Sequence, residues 1–168
     1  QAGGSDDVAY RSVRRVAHEN AAQLGSTVSD ISSEPRKYAN QLDNAFNLLN
    51  LNYTLLAYIS ALGAYRKPKT APSAEEKERE PQPNDADSAS LLTAYYHLGE
   101  DIADLLEQLD TLTAADYQKR HEHIRAELDR LRPDENDPQE QHSHLWQQLL
   151  MISRTIEPCY CALHPQQT

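Results

Sequence analysis

Asn44–Tyr65, NAFNLLNLNYTLLAYISALGAY, runs twenty-two residues without a charge in a chain where 25% of residues are Asp, Glu, Lys or Arg. On a helical period Leu42, Ala45, Leu49, Leu56, Ile59 and Gly63 fall on one stripe, and Phe46, Tyr53, Ala57, Ser60 and Ala64 fall beside it. An apolar surface that wide needs more than one neighbour. It predicts a helix in the middle of a bundle, with Leu49, Tyr53, Leu56 and Ile59 almost fully enclosed. A membrane span is the rival reading, since the length suffices. Asn44, Asn47, Asn50 and Asn52 argue against it, because an amide in hydrocarbon needs a partner that lipid cannot supply.

Outward from this stretch, the chain of 168 residues is long enough for one domain with a proper core. Glycine is scarce, β-branched residues are few, and Leu, Ala, Glu and Gln are plentiful, which favours an all-α class. The sequence starts without an initiator Met and carries no signal-like segment, as expected of a piece of something longer. Cys159 and Cys161 are two apart on a predicted helix and point to different sides, so a bridge between them is not expected. That fits a reducing compartment.

The net charge of −10 is unevenly spread. Residues 1–70 carry eight Lys and Arg against six Asp and Glu, whereas residues 71–168 carry eight against twenty. So acidic a second half repels nucleic acid, and no nucleic-acid partner is expected.

In chain order, residues 1–5 read as a flexible lead-in. A first helix begins at the acidic Asp6-Asp7 and follows Tyr10, Val13, Ala17, Leu24, Val28 and Ile31 to about Ser33. Arg11, Arg14, Arg15 and His18 form a second stripe on it, either a solvated face or a surface for an anionic partner. Glu34-Pro35 stops this helix and starts the next, so residues 6–66 should form a long hairpin. At 1.5 Å per residue its arms would be roughly 40–45 Å long. Residues 67–87 hold Pro68, Pro72, Pro81 and Pro83 around a charge run, a composition that predicts an exposed mobile loop.

Residues 88–164 should supply three further helices. The first carries Leu91, Tyr95, Leu98, Ile102, Leu105, Leu109 and Leu112. Thr113 caps the second, with Asp116 in capping-box position, and Tyr117, His121, Ile124, Leu128 and Leu131 follow. The third carries Leu145, Leu149, Ile152, Ile156, Cys159 and Leu163, with a kink or an end expected near Glu157 because of Pro158. The expected fold is an antiparallel bundle of about five helices, with helices three to five packed along the hairpin.

Little in the sequence points to chemistry. His121 with His123, and His142 with His144, diverge on a helix. Cys161 and His164 could converge but lack further ligands, so no metal is expected. There is no glycine-rich phosphate loop and no Gly-x-Ser-x-Gly elbow, so no catalytic residue and no cofactor is expected. Tyr53, Tyr58 and Tyr65 could line an aromatic pocket, though such tyrosines more often pack in a core with the hydroxyl at its rim.

Several runs carry a resemblance. Tyr10-Arg11 with Arg14-Arg15 and Ala17-His18-Glu19, then Val28–Pro35, then Tyr58–Arg66, and later Ile156-Glu157-Pro158, resemble the C-terminal part of the YccS/YhfK family. These are bacterial inner-membrane proteins of transporter type, related to the fusaric-acid-resistance and aromatic-acid efflux proteins. The resemblance is dense over residues 10–66 and thinner over 88–164, and loop 67–87 departs from it in length. It implies a cytoplasmic domain that follows transmembrane helices in a larger polypeptide, with an accessory, assembly or regulatory role and no enzymatic one. The implied partners are the transmembrane part of the same polypeptide, a second copy of the domain, and the anionic inner leaflet. In that setting Arg11, Arg14, Arg15 and His18 would share one end of the hairpin with Arg66, Lys67 and Lys69, facing lipid. The competing expectation is that the arginines pair with the domain's own Glu100, Asp101 or Asp104. A free-standing helical interaction protein is the alternative to the membrane setting.

Overall fold

A computed structural model describes residues 3–64, 83–133 and 140–165. They form five helices, α1 (Gly3–Ser33), α2 (Pro35–Ala64), α3 (Pro83–Glu107), α4 (Ala114–Arg130) and α5 (Glu140–Leu163). Among the described residues there is no strand, and the chain is all-α.

Helix ends follow local chemistry and move several expected boundaries. α1 starts at Gly3, inside the expected lead-in. Pro35 opens α2, and one residue later than Lys37 the helix bends at Tyr38 (φ −122°, ψ 17°). α3 begins at Pro83, so the last five residues of the expected loop are helical; proline is well placed in a first turn, where its missing N–H would have no helical partner. The rest of that loop lies outside the described residues.

α3 ends at Glu107, short of Leu109 and Leu112. The chain turns there through hydrogen bonds from Leu109 N to Leu106 O and from Thr111 N to Gln108 O, at 3.4 and 3.0 Å. It must turn, because Thr113 adopts an extended cap conformation. Its Oγ1 accepts from Asp116 N at 3.2 Å and donates to Asp116 Oδ2 at 2.7 Å. α5 does not stop near Glu157 but continues through Pro158 to Leu163. The proline removes the donor for the Arg154 carbonyl, and both residues are exposed on the same side, where water can take that carbonyl.

The core is not centred on α2. Leu98, Ile102 and Leu105 of α3, Ile124 and Leu128 of α4, and Leu149, Ile152, Ile156 and Tyr160 of α5 are among its buried members. α2 adds only partly buried side chains, Leu51, Leu55, Tyr58 and Leu62. This is a different stripe from the expected one. Of the four residues expected to be enclosed, Leu49 and Leu56 are half-buried, while Tyr53 is 48% and Ile59 41% exposed. The reason lies in the packing order: α1 packs on α2, α2 on α5, and α5 on α3 and α4. α2 is therefore a middle layer covered on two sides, and α5 holds the position expected for α2.

Between α1 and α2, Gly25 faces Tyr53 and Leu49, and Gly63 faces the ring of Tyr10. These pairs run in opposite chain directions. Between α2 and α5, Asn44 Nδ2 donates to the Ala162 carbonyl at 2.8 Å. The last carbonyls of α4 are taken by neighbouring helices: Tyr95 Oη donates to Leu131 O at 2.9 Å and Trp146 Nε1 to Leu128 O at 2.8 Å.

Two predictions follow from this packing. Ile156→Ala, at a side chain with 0% exposure, should cost about 2–5 kcal/mol in chemical denaturation. Phe46→Ala, on the open side of α2, should stay within about 1 kcal/mol; equal losses would return α2 to the centre. The second concerns the two close approaches of α1 and α2. Gly25→Ala adds a Cβ 3.3 Å from Tyr53 Oη, the far end of an exposed side chain, and should be neutral or stabilising by up to about 1 kcal/mol. Gly63→Ala drives its Cβ into the Tyr10 ring and should destabilise. In a Tyr10→Ala background the Gly63→Ala penalty should vanish, as a double-mutant cycle will read.

Candidate functional site

The basic stripe expected on α1 is present. Arg11, Arg14, Arg15 and His18 are all exposed, and at 3.6 residues per turn they span roughly 100° of the helix circumference. Arg15 Nε lies 3.5 Å from Glu19 Oε1, a neighbour one turn on, with 74% and 65% of the two side chains exposed. Among the described residues no ion pair joins Arg14 or Arg15 to the α3 carboxylates. Glu100 instead meets His97 at 3.1 Å and Asp101 meets His123 at 3.7 Å, because α1 packs on α2 and not on α3. Arg66, Lys67 and Lys69 lie outside the described residues. The contact of Tyr10 with Gly63 does bring the start of α1 beside the end of α2, three residues before Arg66.

The clefts among the described residues include a polar and an apolar one. The polar one between α3 and α4, of about 550 Å³, is lined by Asp101, Asp104, Asp116, Lys119, Arg120 and His123, whose opposite charges largely offset one another. The apolar one, of similar size, lies over α2, with Leu24 of α1 on one side and Leu106, Leu109 and Leu163 on the other. Asn52 lines it, and the Asn52 Oδ1 is buried without a hydrogen-bond partner among the described residues.

The histidines and cysteines take separate places. Among the described residues no three His, Cys, Asp or Glu side chains form a group that could hold a metal ion. His142 is buried beside Tyr95, with ring centroids 6.1 Å apart. Cys159 is buried and Cys161 half-buried, and burial pushes the Cys159 thiol above its ordinary pKa.

What the sequence did not show is a column of rings joining α4 to α5. His121 stacks on Tyr117 at 5.3 Å, Tyr117 on Tyr160 at 3.9 Å with planes 6° apart, and Tyr160 meets His164 at 4.4 Å. Tyr117 and His121 of α4, and Tyr160 of α5 with His164 just past its end, are pairs four residues apart, visible in the sequence, but nothing there says that the two pairs face each other. The far end of the column holds the α3–α4 turn: Tyr160 Oη donates to Leu112 O at 3.3 Å, and His164 Nε2 lies 2.9 Å from Leu109 O. The Tyr117 hydroxyl is buried with no hydrogen-bond partner among the described residues. Burial first, then the carboxylate of Glu157, raises its pKa well above that of an ordinary tyrosine.

That contrast generates a test by thermal denaturation. Tyr117→Phe keeps the stack, removes an unsatisfied hydroxyl and should be neutral or stabilising, whereas Tyr160→Phe loses a hydrogen bond and should cost about 0.5–1.5 kcal/mol. A tyrosine whose folded-state pKa is raised is fully stabilising below its unfolded pKa of about 10 and loses that contribution as pH climbs above it. The alkaline loss of stability should therefore be shallower in Tyr117→Phe than in the parent.

Comparison with known proteins adds context. Over 162 residues, 95% of this chain, the sequence is 36% identical to an uncharacterised protein of Haemophilus influenzae, of which the match covers 21%. Over 70 residues, 42% of the chain, it is 49% identical to the inner membrane protein YccS of Escherichia coli, of which the match covers 10%. Over 58 residues, 34% of the chain, it is 50% identical to the protein ORF2 of Neisseria gonorrhoeae, with 14% of that protein covered. The chain thus spans about a fifth or less of the length of these curated relatives. No family model matches it, and no solved structure does. Over part of its length the chain is thus similar to an inner membrane protein, YccS.

Proposed function

We propose that this chain is a helical accessory domain of a multi-span inner-membrane protein of transporter type, seated on its cytoplasmic face and acting in assembly or regulation. The observation that carries the reading is the 49% identity to an inner membrane protein, set beside the finding that no described helix is long and apolar enough to cross a membrane. A sequence related to a membrane protein, but built as a layered bundle with its charges outward, fits a part that stands beside the bilayer. The share of its relatives that it covers leaves room for spans elsewhere in such a polypeptide. In this role the domain needs neither a catalytic constellation nor a cofactor, and the cargo, which for the resembling efflux proteins would be an aromatic or other organic acid, is handled by other segments. The free-standing interaction module is the competing reading, supported by the exposed Phe46, Tyr53 and Ile59.

Fractionation of the native host separates the two. An antibody to the domain should find it in inner-membrane pellets that resist carbonate extraction. A fluorescent-protein fusion after Thr168 should glow, while an alkaline phosphatase fusion at the same point should be inactive. Recovery of the intact antigen in the soluble fraction would remove the membrane reading and leave the free-standing one.

A further inference from the structure

We infer that one broad side of the α1–α2 pair is a docking surface for an anionic lipid bilayer, with α1 and α2 lying along the membrane plane. The inference rests on the inner-membrane reading above and names the surface that would meet the lipid. Arg11, Arg14, Arg15 and His18 share an arc of α1. Gly25 continues that arc, seven residues beyond His18, and Tyr53 Oη is the atom nearest a Cβ placed at Gly25. Tyr53 therefore stands on the same side of the pair as the basic residues. Phe46, seven residues before it, falls on the same stripe of α2. Both rings are exposed, Phe46 by 43% and Tyr53 by 48%.

Cations beside exposed aromatic rings match the chemistry of a bilayer interface. The guanidinium groups meet lipid phosphates, and the rings settle at the headgroup level. The rest of the molecule is disposed to allow it. The stripe of α2 that meets the core, Leu51, Leu55, Tyr58 and Leu62, lies roughly half a turn round the helix from Phe46 and Tyr53. The helices α3 to α5 thus sit on the far side of α2. The exposed carboxylates of α3 and α4, Glu100, Asp101, Asp104, Asp116 and Glu122 among them, sit with those helices and would be held away from anionic lipid. A protein of net charge −10 has no general attraction for such a surface, so binding would have to come from a local cluster of cations.

Co-sedimentation of the 168-residue chain with phosphatidylglycerol vesicles tests it, against phosphatidylcholine vesicles as the neutral control. Binding is expected to phosphatidylglycerol at low salt only, and should be lost at about 0.5 M NaCl, where screening acts within a few ångströms. Each basic side chain near an anionic surface strengthens partitioning roughly fivefold, so Arg11→Ser/Arg14→Ser/Arg15→Ser together should weaken it roughly a hundredfold. The corresponding Lys triple variant should keep it, which separates charge from a folding defect. Phe46→Ala/Tyr53→Ala should weaken it severalfold. Absence of binding at low salt, equal binding to neutral vesicles, or equal binding by the Ser triple variant overturns the inference. Self-association abolished by the Ser triple variant, with no vesicle binding, overturns it in favour of a protein partner. None of these failures touches the fractionation result, which reads membrane attachment by the whole polypeptide.

Discussion

α5 has to be covered on several sides at once, and the rest of the fold is arranged to do it. Ile152, Ser153, Thr155 and Ile156 are all buried, as are Leu149, Cys159, Tyr160 and Ala162. These positions fill about half of the helix circumference, while His144, Gln147, Met151, Arg154 and Pro158 keep one stripe exposed. One neighbouring helix cannot enclose such a surface, so α2, α3 and α4 pack round it. Hydrogen bonds across these contacts go mostly to backbone carbonyls near helix ends, from Asn44, Tyr95, Trp146 and Tyr160. Apolar contact supplies the attraction, and these donors settle where each helix stops.

The helical class, the Thr113 cap and the apolar stripes of α3 and α4 were legible in the sequence because each depends on residues within one or two turns. The centre of the fold was not. A charge-free stretch tells that water-loving groups are absent; it does not tell whether other helices cover it. In α2 the apolar residues go all the way round, and only the stripe from Leu51 to Leu62 meets the main core. In α5 the buried Ser153 and Thr155 dilute the apolar pattern, although Thr155 satisfies its own hydroxyl by donating to Met151 O at 2.8 Å. A helix that feeds its polar side chains back to its own backbone can be deeply buried without looking hydrophobic.

The surface features divide in the same way. Arg11, Arg14, Arg15 and His18 could be placed together from spacing alone, since one helix carries them. That Tyr53 joins their side of the molecule required the register between α1 and α2, which Gly25 reveals and no local pattern encodes. The ring column of His121, Tyr117, Tyr160 and His164 is hidden for the same reason. Its halves are thirty-nine or more residues apart in sequence, and they meet only once α4 and α5 are antiparallel neighbours.

The packing order also sets a hierarchy of opening. α4 has eight charged residues among seventeen and draws its terminal carbonyl partners from α3 and α5. A short polar helix of this kind gains little from its own propensity, so it forms and melts together with them as a cooperative unit. α1 is in the opposite position: it is long, among the described helices it leans on α2 alone, and most of its circumference faces outward. Its amides should exchange hydrogen faster than those of α3 to α5, through excursions that leave the inner three helices closed. An arm that can loosen without unfolding its base is suited to adjusting its seat on whatever surface it meets.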